Sequence, residues 1–528
     1  MESLSMEVLL MVLCYALQPQ GNDLRAPIAP YATVNRRWQA VIEECTFGSI
    51  RIYTATRLKE FQRLFGKLPK NSHRKFCIQK IDLLVELEPY DKKANAHYET
   101  DEENQRNNKI FRTAISSLFE VLASWPDNVE LELIIEAQSP SDDLACKDPE
   151  VFLQRIQAAR SRGGDVLGDR YNRRYLKFFE ESGHTPSIHA VTTLQIKGTS
   201  GRRLIEPASC ALIASKLPRL FHLDLNLVDE CKRDEGLRKQ LRDDKLYQKY
   251  SNHDMLSLFS DFAIALRRVP PNIQGLCLKF AYNPPRDHNY PPPILAEGET
   301  DLLSTHLREV SRNLSYLNIE STVIGPELFW PLNSQDKSSG LPSWPHLTSF
   351  VVGYAPVTPF GQWLFERPSE SLEDDVEANE GANGVDEREW QPGFPWTAPE
   401  DRKINNFRTN TIMRFANNLY MSAGQAALQM PKLESMTLAT AGSHNPRQVF
   451  KYTVANGVAK LTWSHVDFIG LFLLKYQVGW AGLRRVIEWF QPDEQVLELW
   501  KKVAFQHTGG ELQIYFVDSK NTELGNLL

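Results

Sequence analysis

The chain has 528 residues, 42% hydrophobic and 24% charged, with a formal net charge of −6 and a pI near 6.1. That length exceeds the roughly 250 to 300 residues at which a single compact core stops growing, so it implies several domains or an elongated repeat array. The mild acidity argues against a chain-wide nucleic-acid footprint, and no segment reaches the roughly 18 consecutive apolar residues that span a bilayer. The seven cysteines, at positions 14, 45, 77, 146, 210, 231 and 277, are scattered and never form Cys-x-x-Cys. This is the usage of a reducing compartment, cytoplasmic or nuclear, with thiols acting as small apolar groups rather than as disulfides or zinc ligands.

Residues 4–17 are almost wholly apolar, more so than a one-sided surface helix requires, so a helix there must be covered on most sides. Glu2 and Glu7 flank it without Lys or Arg, opposite to the positive flank of a secretory signal. A second run places Ile28, Tyr31, Ala32, Val34, Trp38, Val41 and Ile42 near i, i+3, i+4 spacing, with Asn35, Arg36, Arg37, Glu43 and Glu44 turned away. Leu4, Glu7 and Val8 followed by Val12 and Leu13, then Val34, Arg36 and Trp38, resemble the Leu-Pro-x-Glu-Ile/Val, Ile-Leu and Val-x-Arg-x-Trp positions of an F-box. The resemblance implies a helical module over residues 1–50 that docks a Skp-family adaptor, and through it a cullin, by way of Leu4, Glu7, Val8, Val12, Leu13, Val34 and Trp38. The plain alternative is a helical hairpin packed on the main body.

From residue 70 onward, short runs of the form Leu-x-x-Leu-x-Leu predict strands: VTTLQI from Val191, LFHLDL from Leu220, IQGLCL from Ile273, LSYLNI from Leu314, LTSFVV from Leu347 and LESMTL from Leu433. Their irregular separations reach a leucine-rich-repeat period only once, so the repeat is degenerate. CIQKIDLLVEL (Cys77–Leu87) and NVELELIIEA (Asn128–Ala137) predict earlier strands, so the sheet is expected to begin near residue 77, and ELQIYFVD (Glu511–Asp518) predicts a closing one. Helices are expected over Phe111–Leu122, Pro207–Leu217, Met255–Arg267, Thr300–Val310, Thr409–Met430 and Glu494–Phe505. Strand followed by helix, repeated, is an α/β array whose open form is a horseshoe. In such arrays the leucines are core, and binding falls to exposed positions, here Phe221, His222, Asp224 and Asn226 with Gln274 and Lys279.

The C-terminal phrase DEQVLELWKKVAFQHTGGELQIYFV, with SKLPRLFHLDL and MPKLESMTL, is similar to a group of fungal F-box proteins with a leucine-rich-repeat-like C-terminal region of no established activity. Residues 370–389 hold nine acidic residues against one basic and little to bury, which predicts a disordered insertion between a 70–369 region and its 390–528 continuation. The NPPRDHNYPPP stretch at 283–293 reads as a stiff loop.

None of the common catalytic motifs occurs: no Gly-x-Ser-x-Gly, His-Glu-x-x-His, Walker loop or helix-opening Gly-x-Gly-x-x-Gly. No catalytic residue, cofactor or metal is therefore expected, and solitary histidines such as His222 read as packed or exposed side chains. The basic, aromatic stretch Arg160, Arg162, Arg170, Tyr171, Arg173, Arg174, Tyr175, Lys177, Phe178 and Phe179 has the makings of a single-strand nucleic-acid groove. Its i, i+4, i+7, i+8 aromatic spacing favours an amphipathic helix instead. The resulting expectation is a substrate receptor for an unknown protein client. A repeat scaffold without a ligase is the alternative, followed by an enzyme with an unrecognised site.

Overall fold

Alternation of apolar and polar residues, the period of a strand with one covered face, recurs in nearly every strand of the computed structural model. The structure describes residues 8, 11, 32–66, 72–91, 99–142, 171, 174–179, 185–198, 203–228, 258–282, 288, 291–292, 294–296, 298–331, 341–367, 408, 410–441, 447–466 and 492–518. The acidic 370–389 segment, Leu4, Glu7, Val12, Leu13 and Arg160 to Arg170 lie outside them.

The strands are β1 (Ser49–Ile52), β2 (Lys80–Glu86), β3 (Leu131–Gln138), β4 (Val191–Lys197), β5 (His222–Val228), β6 (Gly275–Ala281), β7 (Tyr316–Thr322) and β8 (Ser349–Tyr354). They continue with β9 (Phe365–Glu366), β10 (Asn410–Thr411), β11 (Ser435–Thr440), β12 (Arg447–Ala455), β13 (Val458–Val466) and β14 (Gln513–Asp518). Helix α1 (Arg36–Phe47) precedes them, α2 (Ala55–Phe65), α3 (Asp101–Leu122), α4 (Pro207–Ser215), α5 (Leu302–Ser311), α6 (Met413–Ala427) and α7 (Glu494–Thr508) lie between them, and residues 258–266 are also helical.

Twelve strands form one sheet in sequence order, β1 to β8 and then β11 to β14, while β9 and β10 pair separately. Within this sheet every pairing from β1 through β8 to β11 is parallel, β12 runs antiparallel to both its neighbours β11 and β13, and β14 joins β13 in parallel. The chain is therefore mixed α/β with a mostly parallel sheet, as strand–helix alternation implied. All nine predicted strand runs are present. The sheet begins earlier than expected, because Ser49–Ile52 pairs with β2 rather than ending the N-terminal helical module.

The β12–β13 hairpin was not anticipated, although its signal is plain: Asn456 and Gly457 both take positive φ (52° and 74°), as a two-residue hairpin turn requires between alternating strands. A second correction concerns residues 171–179. Residues 174–179 are extended, not helical, and Leu176 bridges Ile205. Leu176 and Phe178 are buried in strand-like alternation with exposed Lys177 and Phe179, Tyr175 is buried as well, Arg174 pairs with Asp101, and Lys177 pairs with Glu206 at 3.1 Å. The bond donated by Leu176 N to Leu204 O and the one donated by Phe178 N to the Ser209 hydroxyl hold the segment against the start of α4, which overrides its helical spacing.

Local chemistry sets the helix starts. Asn35 caps α1 by accepting from Arg37 N and Trp38 N. Thr100 and Glu103 form a reciprocal capping box on α3. One contiguous core joins the buried helix residues to one parity of each strand, for example Leu223, Leu225, Leu278, Leu317 and Val352. The opposite parity is mostly half-exposed. Parallel strands covered on both faces read as continuous apolar runs, so this alternation identifies a sheet that, among the described residues, has helices on one face and an open second face.

Candidate functional site: an open sheet face and its carboxyl edge

The open face is a polar grid whose rows are fixed by the strand register. Gln195, Asp224, Cys277 and Asn318 share one row, which continues through Val351, Thr437, Lys451 and Thr462. His222 and Tyr316 flank Gly275 in the next row. Of the expected binding positions, His222, Asp224, Asn226 and Lys279 lie on this face. Phe221 and Gln274 sit instead at its amino edge, just before β5 and β6, joined by a Gln274 N to Phe221 O bond of 2.8 Å.

The contacts on this face are specific. Gln195 donates to Asp224 at 2.6 Å. The His222 ring occupies the space above Gly275, where any Cβ would collide with it, and its Nε2 lies 4.0 Å from Cys277 Sγ. Burial, aided by Asp224, pushes the Cys277 thiol up, so it remains protonated rather than becoming a nucleophilic thiolate. Among the described residues no group of three or more His, Cys, Asp or Glu side chains is placed to hold a metal ion.

Two buried polar centres occupy the carboxyl edge of the sheet, where loops leave the strands. In the first, beyond β2 to β4, Arg203 meets Glu99 through two parallel bonds of 2.7 Å, with both side chains fully enclosed. Asn104 and Asn107 also donate to Glu99, at 3.0 and 2.7 Å. The guanidinium stacks 3.9 Å from the centre of the Tyr171 ring, and the Tyr171 and Tyr90 hydroxyls both donate to Asp142. In the second centre, beyond β6 and β7, Asp301 caps α5 and accepts from Ser304 N and Gly325 N at 3.2 and 3.1 Å. Glu327, on the turn Pro326–Leu328, places its carboxylate against the same Gly325. Arg308 donates to the Glu327 main-chain oxygen, and the carboxylate's Oε2 has no hydrogen-bond partner among the described residues. Burial therefore pushes the Glu327 carboxyl up to about 7, with the Asp301 charge adding to the shift.

Neither centre was legible as a site, because Glu99 and Arg203 lie 104 positions apart and Glu327 sits in an unremarkable turn. Only Asp301 carried a signal, an acidic residue immediately before an apolar helical run. Within the proline-bearing 283–293 stretch, of which only residues 288 and 291–292 are described, His288 is buried, its ring lies tilted 4.7 Å from that of Trp363, and its Nδ1 accepts from Arg408 N at 3.0 Å.

Of the expected adaptor-docking residues that are described, Val8 and Val34 are exposed, while Trp38 is half-buried. Trp38 packs in a small cluster with Val41, Ile42, Ala32 and Cys45, separate from the main core. Glu43 on the same helix pairs with Arg74 at 2.8 Å, tying α1 to the body.

Residues 405–523 match the model of a family of unknown function, DUF6546. No curated protein matches the chain. The matched stretch contains α6, α7 and the antiparallel strands, and its interior is an aromatic cluster. Tyr420 lies 4.9 Å from Phe450, and Phe450 lies 4.8 Å from both Trp463 and Trp500. His507 borders the cluster: its Nε2 donates to Ala427 O at 3.2 Å and its Nδ1 accepts from the Tyr452 hydroxyl at 3.0 Å. Burial lowers the His507 pKa, consistent with that neutral tautomer. Among the described residues no helix is long and apolar enough to cross a membrane.

Proposed function

We propose that this chain is an F-box substrate receptor: a helical module over residues 1–50 docks a Skp-family adaptor and, through it, a cullin, while a leucine-rich-repeat-like horseshoe holds a protein client. The observation that carries the client-binding half is the sequentially ordered, mostly parallel sheet with helices on one face, which leaves a broad polar surface free. The adaptor-docking half is supported by exposed Val34 and half-buried Trp38 on a helix whose small apolar cluster is separate from the main core. The receptor performs no chemistry and needs no cofactor; ubiquitin transfer belongs to other subunits, in the cytoplasm or nucleus.

Affinity capture from the native cell tests this reading, with the adaptor and a cullin expected to co-purify. Truncating a central aromatic anchor commonly costs about 2 kcal/mol or more, so Trp38→Ala should abolish capture while leaving the thermal unfolding of the α/β region in place. Wild-type protein that fails to bind the adaptor at micromolar concentration sinks the receptor reading. A chain lacking residues 1–50 should still bind its client yet let that client accumulate; an unchanged client half-life would favour the scaffold reading, for which the open face alone suffices.

A further inference from the structure

Charges on the open face are distributed unequally. On its N-terminal side, cations meet carboxylates across neighbouring strands: Arg51 with Asp82 at 3.0 Å, Lys80 with Glu132 at 2.9 Å and Lys197 with Glu136 at 3.2 Å. On β12 and β13 the same face carries Lys451 and Lys460, and among the described residues neither makes an ion pair. Their cross-strand neighbours are neutral: Thr437 and Thr462 flank Lys451, while Thr453 and Gln513 flank Lys460.

Antiparallel register makes the two lysines diagonal neighbours, roughly 7 to 8 Å apart along the sheet, where like charges repel unless an anion lies between them. The surrounding threonine hydroxyls add hydrogen-bond donors to the ammonium groups, a donor set suited to carboxylate or phosphate oxygens. Beyond β13, the edge strand β14 presents Tyr515, 46% exposed, as an aromatic end to the strip.

From this charge complementarity we propose that the strip centred on Lys451 and Lys460 binds an extended anionic segment of the partner protein, acidic or phosphorylated. The assignment rests on the reading that the open face holds a client, and it names that client's chemistry. Crossing from β11 to β14 covers about 14 Å at roughly 4.8 Å per strand, the length of about four extended residues. The N-terminal half of the face, with its charges already matched, contributes little to anion binding.

Fluorescence anisotropy on the full chain tests it, using a fluorescein-labelled Glu-Ser repeat peptide, its Gln-Ser analogue and a phosphoserine version. The Glu-Ser peptide should bind, and its affinity should fall as ionic strength rises past about 0.1 M. Lys451→Gln/Lys460→Gln, which keeps most of each side-chain stem, should weaken binding by about tenfold, whereas Lys80→Gln should change it by less than about twofold. Melting curves confirm that each variant is folded. Tighter binding of the phosphoserine peptide identifies a phosphorylated client segment; tighter binding of Glu-Ser identifies an acidic one. Equal affinity for Glu-Ser and Gln-Ser, or a double variant that binds like the wild type, overturns the proposal. Binding that appears only after residues 370–389 are deleted identifies the chain's own acidic stretch as the occupant and overturns the partner assignment. Anionic-peptide binding without adaptor capture keeps this inference and removes the receptor reading; adaptor capture without peptide binding does the reverse.

Discussion

Glu99 and Glu327 are both carboxylates enclosed at the carboxyl edge of the same sheet, 2% and 5% exposed, yet their surroundings are opposite. Glu99 has exchanged water for a two-pronged guanidinium and two asparagine amides, so its charge is solvated by protein. Glu327 has a second carboxylate beside it, and the nearby Arg308 is engaged with its main-chain oxygen instead. The two enclosed acids therefore differ in their partners: Glu99 is gripped by a guanidinium clasp, whereas burial and the Asp301 charge leave Glu327 poised to take up a proton near neutrality.

The largest expected effect breaks the first centre. Arg203→Ala strands a buried charge on Glu99, a loss of about 3 to 5 kcal/mol that urea unfolding would register. Arg203→Lys should recover only part of it, because an ammonium reproduces neither the paired bonds nor the stacking on Tyr171. Removing both charges, as in Glu99→Leu/Arg203→Met, should restore most of the stability. If the double variant is as weak as Arg203→Ala, the clasp acts through shape rather than charge.

Perturbing the second centre should have a smaller, pH-dependent effect. The folded Glu327 pKa of about 7 lies above its ordinary 4.5, so the folded chain holds this proton more tightly than the unfolded one. The contribution of this carboxyl to stability is fully present below about pH 4.5 and is lost as pH rises to about 7, by up to about 3 kcal/mol at roughly 1.4 kcal/mol per unit. Glu327→Gln should flatten that slope, so the gap between variant and wild-type melting temperatures widens in the variant's favour between pH 5 and pH 8. A constant gap over that range would mean that the Glu327 carboxyl is better solvated than its enclosure indicates.

The smallest change sharpens the comparison within the first centre. Tyr171→Phe keeps the ring under Arg203 but removes the hydroxyl donated to Asp142, which still accepts from Tyr90 at 2.7 Å. About 1 kcal/mol of stability should be lost, the usual net value of one hydrogen bond. A loss comparable to Arg203→Ala would show that the tyrosines, not the guanidinium, hold the loops together.

Strand positions, their alternation and the order of helices between them were legible in the chain itself, because each depends on local spacing: Leu223, Leu225 and Leu227 announce a one-sided strand before any partner is known. The hairpin at Asn456-Gly457 was equally local, and with it the diagonal placement of Lys451 and Lys460. Residues 171–179 show the limit of such reading. Their aromatic spacing fits a helix, but bridging Leu176 to Ile205 and burying Tyr175 and Phe178 beside α4 satisfies the same side chains in an extended form. Glu99 with Arg203, and Asp301 with Glu327, belong wholly to the tertiary structure. Charge pairing and desolvation depend on distances between loops that the parallel strands bring to one edge, and no local pattern encodes those distances.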